Sequence, residues 1–457
     1  MAFNTVAFFA FLPVVLILFY TLPSKARKPL LLLASYFFYA WWSVKFLPLI
    51  WTLTLIDYTA GLLLAGEARS HRKLILIVSL CANLGFLGFF KYYNFLGATL
   101  AGLLERPSNS FFLEIILPLG ISFHTFQSMS YVIDVYRGEQ KPVRNLLDYA
   151  LFIAFFPQLV AGPIVRAHEF FGDLYHWNPP DAAAVQRSAL AILTGLAKKM
   201  IFADQFAKVA DPYFRNPAAF PGSLTAWSAT FAFALQIFFD FSGYTDIAIG
   251  SAGLLGFHFP RNFARPYLSA SVTEFWRRWH ISLSRWLRDY LYIPLGGNRQ
   301  GGWKTYRNLM ITMLLGGLWH GASWNFLAWG GWHGALLSLE RATGQREAGR
   351  NPVRIALTFV LVLLGWVLFR APSWPAALTI YSEMFRGAAG RSLLGVGHWT
   401  LAAISLLLAV AEERLGIFER FPRAPAWIQA ATLAAVFLAL ELFGVTDQRI
   451  PFIYFQF

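Results

Sequence analysis

The chain has 457 residues, of which 57% are apolar and 14% are charged, and its formal net charge is +14. Soluble domains are ordinarily about 45–50% apolar and about 25% charged, so this composition excludes a string of water-soluble domains. The single cysteine, Cys81, excludes a disulfide framework and lies in an apolar run, where we expect it to pack as a small hydrophobic side chain.

Apolar segments of membrane-spanning length recur along the chain. A hydrocarbon core of about 30 Å is crossed by a helix of about 20 apolar residues. We therefore predict an all-α polytopic membrane protein, a single transmembrane domain over residues 1–457 with about ten to twelve transmembrane helices. The segments cover residues 6–22, 30–43, 46–66, 74–97, 111–135, 146–164, 188–209, 225–257, 308–343, 352–370, 397–412 and 427–446. The segment 308–343 is long enough for two spans.

The basic residues predict the orientation of the chain. Lys25, Arg27 and Lys28 follow the first apolar segment, whereas a cleaved signal peptide carries its positive charge before the apolar run. The positive-inside rule therefore places residues 25–28 in the cytoplasm and Met1 outside it. Because the basic residues cluster between apolar segments, we expect them to face membrane lipids and we expect no nucleic-acid partner.

Segment 146–164 is interrupted by Pro157, Gly162 and Pro163. If it crossed the membrane fully, the basic stretch 261–307 would lie outside the cell, against the positive-inside rule. We therefore predict a broken or re-entrant element, which membrane depth tolerates only where protein or a wet cavity surrounds the freed backbone groups.

The stretch 261–307 holds nine basic and two acidic residues and is predicted to be cytosolic or interfacial. Between Val272 and Tyr292 the large apolar residues recur at helical spacing, which predicts one amphipathic helix lying in the interface. Its arginines either bind anionic lipid headgroups or form a docking surface for a phosphate-bearing cytosolic donor. For the second role the candidates are Arg277, Arg278, Arg285 and Arg288.

Histidines are the strongest candidates for chemistry, since the motifs of phosphate loops, zinc proteases and serine hydrolases do not occur and no metal site is expected. His320 lies among glycines and tryptophans in an apolar segment, where an ionisable group is functional by default. We expect Trp324, four residues on, to share its helical face. His280 lies on the basic segment beside Arg277 and Arg278. His333 is predicted to be structural, and His124 to be a core histidine with its hydrogen bonds satisfied.

Several carboxylates also fall in or near apolar segments. Asp240 and Tyr244 are spaced for mutual hydrogen bonding in a helix, and a structural role is the first interpretation. The alternative is a proton relay through Asp57, Asp134, Asp240 and Asp246, which would make the protein a proton-coupled exporter. Glu340 is the fifth carboxylate in or near an apolar segment.

Six short motifs, taken in order, resemble those of a known family. They are Leu117-Pro118-Leu119-Gly120-Ile121-Ser122-Phe123, Gln158-Leu159-Val160-Ala161-Gly162-Pro163-Ile164, Phe239-Asp240-Phe241-Ser242-Gly243-Tyr244-Thr245-Asp246, Phe275-Trp276-Arg277-Arg278-Trp279-His280-Ile281-Ser282-Leu283-Ser284, Leu318-Trp319-His320-Gly321 and Phe452-Ile453-Tyr454-Phe455-Gln456-Phe457. Together they are similar to the membrane-bound O-acyltransferases, in the bacterial branch that contains the alginate O-acetylation membrane protein.

This resemblance implies re-entrant and interfacial helices around a central tunnel in a bacterial inner membrane. It implies catalytic roles for His320 and His280, and we expect Trp319, Ser323 and Trp324 to line the tunnel. It further implies transfer of an acetyl group to an exported polysaccharide such as alginate. The expected donor is acetyl-CoA or an acyl carrier protein, with no bound cofactor, and the expected partner is an extracytoplasmic acetyltransferase or polysaccharide-modifying protein.

The resemblance leaves other functions open. Acetylation of peptidoglycan or cellulose and D-alanylation are variants of the same chemistry. From other classes, a proton-coupled exporter would keep its activity without His320, and a membrane scaffold would tolerate the loss of any single histidine.

Overall fold

A computed structural model describes residues 1–66, 71–299, 301–344, 349–445 and 450–455. Every regular element in these ranges is helical, which confirms the predicted all-α fold. Six of the described helices are long and apolar enough to cross a membrane. They span Val44–Gly66, Arg72–Leu103, Ser223–Leu254, Pro352–Arg370, Val396–Leu415 and Ala426–Phe443. The chain divides into two compact units.

The first unit comprises Met1–Ser188 and Ile247–Pro260. A π-helical turn, Gly88–Tyr92, joins its fourth and fifth helices. Its helices are α1 (Val6–Thr21), α2 (Ser24–Ala40), α3 (Leu47–Gly66), α4 (Arg72–Leu87), α5 (Tyr93–Leu103), α6 (Ile121–Arg137), α7 (Leu146–Ala154), α8 (Phe156–Leu159), α9 (Ala167–Tyr175) and the first residues of α10 (Ala182–Ala197).

The predicted break in 146–164 is confirmed, since α7 ends at Ala154 and only the single turn of α8 follows. Two other expectations are wrong. Helix α6 begins at Ile121 rather than near residue 111, because Gly120 adopts a left-handed conformation (φ 74°) where the helix starts. Cys81 is exposed rather than packed, because an apolar face of a membrane helix is as stable against lipid as against protein.

Asp57 joins three helices of this unit. Its buried carboxylate accepts hydrogen bonds from Ser79 (2.5 Å), Asn83 (2.9 Å) and Ser128 (2.5 Å), which lie on α4 and α6. A buried carboxylate is costly unless its oxygens are hydrogen-bonded, and here three donors meet that need. These contacts support the structural role rather than the proton relay for Asp57.

The second unit comprises Ala189–Asp246 and Arg261–Phe457. A π-helical turn, Lys198–Ala203, joins α10 to the helix after it. The helices are α11 (Asp204–Arg215), α12 (Ser223–Leu254, shared with the first unit), α13 (Val272–Arg278), α14 (Ile281–Leu287), α15 (Gly302–His320), α16 (Trp324–Ala342), α17 (Pro352–Arg370), α18 (Trp374–Phe385), α19 (Val396–Leu415), α20 (Ile417–Arg420) and α21 (Ala426–Phe443). Helix α18 was not among the predicted segments.

The prediction of a single amphipathic helix over Val272–Tyr292 is wrong. Helix α13 ends at Arg278, and His280 takes a left-handed conformation (φ 41°, ψ 56°) before α14 begins. The carboxylate of Glu340, on α16, accepts hydrogen bonds from the backbone N–H groups of Val272 (2.5 Å) and Thr273 (2.9 Å). Because the first N–H groups of a helix lack partners within it, Glu340 fixes where α13 starts.

Two helices, α15 and α16, occupy the segment 308–343 for which two spans were predicted, and they form a tight antiparallel pair. A Cβ atom at Gly317 would lie 2.2 Å from the carbonyl oxygen of Phe326, and one at Gly330 would lie 2.2 Å from that of Met313. Only glycine permits such a close approach of two helix backbones. This pair carries His320 at the end of its first helix.

Replacing Gly330 by alanine is expected to lower the free energy of unfolding by about 1–3 kcal/mol, since the new methyl group must push the α15 backbone away. Gly331→Ala is the matched control, because the nearest atom to its Cβ would be Leu314 Cδ2 at 3.6 Å, an ordinary contact. Thermal unfolding of both purified variants measures the effect. Equal stability of the two would contradict the close backbone packing.

Candidate functional site

His320 is the last residue of α15 and lies in an aromatic enclosure. Its ring centroid lies 5.0 Å from Trp319, 5.1 Å from Trp329 and 5.3 Å from Phe369. The residue is 5% exposed. A helix end supplies this position because the chain turns at Gly321 and returns as α16, which brings Trp329 over the imidazole.

His280 lies close to His320, with 6.4 Å between the ring centroids. It is fully buried, and its Nδ1 lies 3.2 Å from Oδ1 of Asn262. Because that oxygen also accepts from the backbone N–H of Ser282 (3.1 Å), the proton of a neutral His280 is on Nδ1 and its Nε2 is basic. Burial lowers the pKa of His280 to about 3, so the ring is neutral at physiological pH.

Tyr454 brings a hydroxyl group to the same place. Its oxygen lies 3.4 Å from Nδ1 of His320, and its ring centroid lies 4.3 Å from that of Phe241. The backbone N–H of the preceding residue, Ile453, donates to Oδ2 of Asp240 at 2.7 Å. The residues at the end of the chain are therefore held in the site by α12. Gln456 and Phe457, which complete the last motif, lie outside the described residues.

Asp240 belongs to a buried charged cluster beneath this segment. Lys199 Nζ lies 3.0 Å from Asp240 and 2.8 Å from Asp204, and all three side chains are nearly inaccessible. Asp246, by contrast, pairs with the neighbouring Lys198 at 2.5 Å in a partly exposed position. The contacts of Asp240 are thus with Lys199 and Ile453, where the helical spacing had suggested Tyr244.

The four arginines proposed for donor binding differ in their surroundings. Arg278 is mostly buried and forms ion pairs with Glu274 (2.8 Å) and Glu413 (3.1 Å). Arg277 and Arg285 are exposed, and so is Arg288, which pairs with the adjacent Asp289. The exposed three are accessible to a ligand, although Arg288 shares its charge with Asp289, whereas Arg278 already neutralises two carboxylates of its own unit.

The three residues proposed to line a tunnel also differ in their surroundings. Trp319 is buried against His320, while Ser323 accepts a hydrogen bond from the backbone N–H of Phe326 and so caps α16. Trp324 begins α16 and is 55% exposed. The expected helical face shared by His320 and Trp324 does not exist, because α15 ends at His320 and three residues separate the two helices.

Two further buried histidines differ in their hydrogen bonding. His333 is buried on α16 and accepts a hydrogen bond from Trp276 Nε1 at 3.3 Å, while the ring of Trp329 contacts both His333 and His320 at 5.1 Å. His124 is buried on α6, but neither ring nitrogen has a hydrogen-bond partner among the described residues. The expectation of a satisfied core histidine is therefore wrong for His124.

The site thus joins the imidazole of His320, the neutral imidazole of His280 and the hydroxyl of Tyr454 inside an aromatic enclosure. A nucleophile placed beside a base that is itself oriented is the arrangement used for acyl transfer. Among the described residues, no group of three or more histidine, cysteine or carboxylate side chains could hold a metal ion. Sequence reasoning assigned no role to Tyr454, Asn262 or Trp329; the last motif of the resemblance contained Tyr454 and was the one available signal.

Comparison with known proteins decides the family. The model of the membrane-bound O-acyltransferase family matches residues 36–348. The chain belongs to the membrane-bound O-acyltransferase family. It is therefore a multi-pass membrane protein and an O-acyltransferase.

The acyltransferase is similar to several curated proteins. It is 42% identical to the probable alginate O-acetylase AlgI of Pseudomonas putida, over 97% of this chain and 87% of that protein. It is 39% identical to the peptidoglycan O-acetyltransferase of Helicobacter pylori, over 90% and 84%. Similarity to the teichoic acid D-alanyltransferase of Streptococcus thermophilus is lower, 28% identity over 55% of this chain.

Proposed function

We propose that this O-acyltransferase moves an acetyl group from a cytosolic thioester donor across the membrane for O-acetylation of an exported polysaccharide. The proposed donor is acetyl-CoA and the first choice of acceptor is an alginate-like exopolysaccharide. The observation that carries the proposal is the enclosure of His320 with His280 and Tyr454. The similarity to probable alginate O-acetylases, over almost the whole chain, supports the acceptor class.

In the proposed reaction His320 acts as a general base or as a transient acyl acceptor. As a base it takes the proton of an attacking hydroxyl, whose oxygen bonds to the thioester carbonyl carbon while the carbon–sulfur bond breaks. The imidazole then returns the proton to the departing sulfur, and the donor leaves as a free thiol. The hydroxyl of Tyr454 is in position to be that nucleophile or to hold the imidazole in one tautomer.

The placement of the protein follows from the same proposal. We assign it to the bacterial inner membrane, with Met1 outside the cytoplasm and the basic stretch 261–307 on the donor side. An extracytoplasmic acetyltransferase or polysaccharide-modifying protein would receive the acetyl group. This arrangement makes the exposed arginines the entry point for a phosphate-rich donor.

The test is transfer of radiolabel from acetyl-CoA, with purified protein in nanodiscs and label followed into protein and glycan. Label that reaches an alginate oligosaccharide when the extracytoplasmic partner is present in the assay supports the full proposal. Transfer only from an acyl carrier protein thioester would show that this thioester, and not acetyl-CoA, is the donor. Transfer only to peptidoglycan fragments would show that peptidoglycan is the acceptor. Export driven by a pH gradient, without covalent turnover, would show that the protein is a transporter.

Replacing Arg285 or Arg288 by alanine is expected to raise the donor KM about tenfold with a smaller change in kcat, since a lost charge-assisted contact to phosphate weakens binding in ground and transition states alike. Arg215→Ala is the control, because Arg215 is exposed but lies outside the basic stretch. Steady-state kinetics with acetyl-CoA measure the effect. If both constants are unchanged in both variants, the docking surface is elsewhere.

A further inference from the structure

The second unit contains a large cavity that the proposed mechanism does not use. Its volume is about 1340 Å³, above the range of about 300–1,000 Å³ typical of small-molecule sites. The walls are α10 with its π-helical turn, α12, α19 and α21, and they are overwhelmingly apolar. Ile201, Phe239, Leu408 and Val436 are representative of the lining.

The cavity exists because α19 and α21 are attached near their ends rather than along their lengths. No residue of α19 is buried, and Leu440 is the buried residue of α21. Near its carboxyl end α19 is held by ion pairs of Glu412 and Glu413 with Arg265. Beyond α21, the backbone N–H of Val445 donates to the carbonyl of Met200 at 3.0 Å. Hydrocarbon must fill the space between such apolar helices inside a membrane.

Three basic side chains, Arg265, Lys198 and Arg420, contribute to the lining of the cavity. Arg265 is neutralised by Glu412 and Glu413, and Lys198 by Asp246. Arg420 is exposed and forms no ion pair with any residue that the structure describes. Glu419, which precedes Arg420, lies 3.9 Å from Arg261 in the basic stretch 261–307, which we predict to face the cytoplasm.

We propose that this cavity binds an anionic glycerophospholipid. The acyl chains lie between α10 and α12 on one side and α19 and α21 on the other, and the phosphate lies at Arg420. Charge complementarity favours this occupant over a partner helix, since an exposed guanidinium that has no ion-pair partner among the described residues, beside an apolar groove, matches a phosphate diester. The anionic lipids of a cytoplasmic leaflet supply that group on the predicted side.

The test is native mass spectrometry of the purified full chain, with phosphatidylglycerol and phosphatidylcholine titrated separately. Wild type is expected to retain phosphatidylglycerol, and Leu408→Trp, which fills the groove, is expected to reduce its affinity about tenfold. Leu407→Trp is the matched control, because Leu407 is 69% exposed on the same helix and does not line the cavity. Equal retention by both variants would show that the lipid binds elsewhere.

A second pair of variants tests the headgroup. Arg420→Gln should lower the affinity for phosphatidylglycerol to that for phosphatidylcholine, whereas Arg414→Gln, an exposed arginine outside the lining, should not. Wild-type binding of the two lipids with equal affinity would overturn the anionic headgroup. A species with twice the mass of the chain that is lost in Leu408→Trp would show that a helix of a second copy, and not a lipid, occupies the cavity.

Discussion

His320→Ala is expected to lower the kcat of acyl transfer by about 10²–10⁴-fold, the usual contribution of a positioned general base. The donor KM should change little, because the exposed arginines rather than His320 are proposed to hold the donor. The measurement is release of free thiol from acetyl-CoA by protein in nanodiscs. A loss shared equally between kcat and kcat/KM would identify an interaction made in the transition state.

Controls separate this loss from misfolding, since the His320 ring packs against Trp319, Trp329 and Phe369. His320→Gln keeps much of the volume without the base and should be as inactive as alanine. His258→Ala removes a histidine whose side chain is 83% exposed and should be fully active. Undiminished transfer by folded His320→Ala would remove His320 from the mechanism and favour a scaffold or exporter.

Tyr454→Phe distinguishes the two roles open to the hydroxyl near His320. If the hydroxyl carries the acyl group, transfer to glycan is lost and no label remains on protein. If it only orients the imidazole, kcat falls about tenfold and turnover continues, since one neutral hydrogen bond is worth about 1 kcal/mol. Peptide mapping of labelled wild type and variant reports the difference. An unchanged kcat would exclude both roles.

Lys199→Met is expected to lower the free energy of unfolding by about 3–5 kcal/mol, because it leaves Asp204 and Asp240 buried without their cation. The neighbouring Lys198→Met is the matched control. Its pair with Asp246 is partly exposed, so its loss should cost about 0–1 kcal/mol. Chemical unfolding in mixed micelles measures both.

Charge removal should rescue the Lys199 variant. Adding Asp204→Asn and Asp240→Asn to Lys199→Met removes the uncompensated charges and should restore much of the stability. Transfer activity is expected to recover less, because Asp240 also accepts the hydrogen bond of Ile453 next to Tyr454. Equal stability of the Lys199 and Lys198 single variants would contradict the buried cluster.

Local patterns in the sequence predicted several of the secondary-structure elements. Long apolar runs predicted the helices, and Pro157, Gly162 and Pro163 predicted the break after α7. The length of 308–343 predicted two elements, and two helices, α15 and α16, lie there, although neither is among the helices that are long and apolar enough to cross a membrane. These predictions succeed because hydrophobic length and helix-breaking residues act within a few turns of the chain.

The sequence by itself also determined which histidines were candidates for chemistry, since an ionisable side chain in an apolar segment is costly and so indicates function. Only the tertiary structure decided how these candidates are arranged. His280, in a left-handed conformation and held by Asn262, interrupts the segment that apolar periodicity had predicted to be one continuous helix. Tyr454 reaches His320 across 134 positions of sequence, and Lys199 finds its two carboxylates on α11 and α12. Periodicity records which face of a helix is apolar, but contacts between distant segments depend on packing and charge pairing that no local pattern contains.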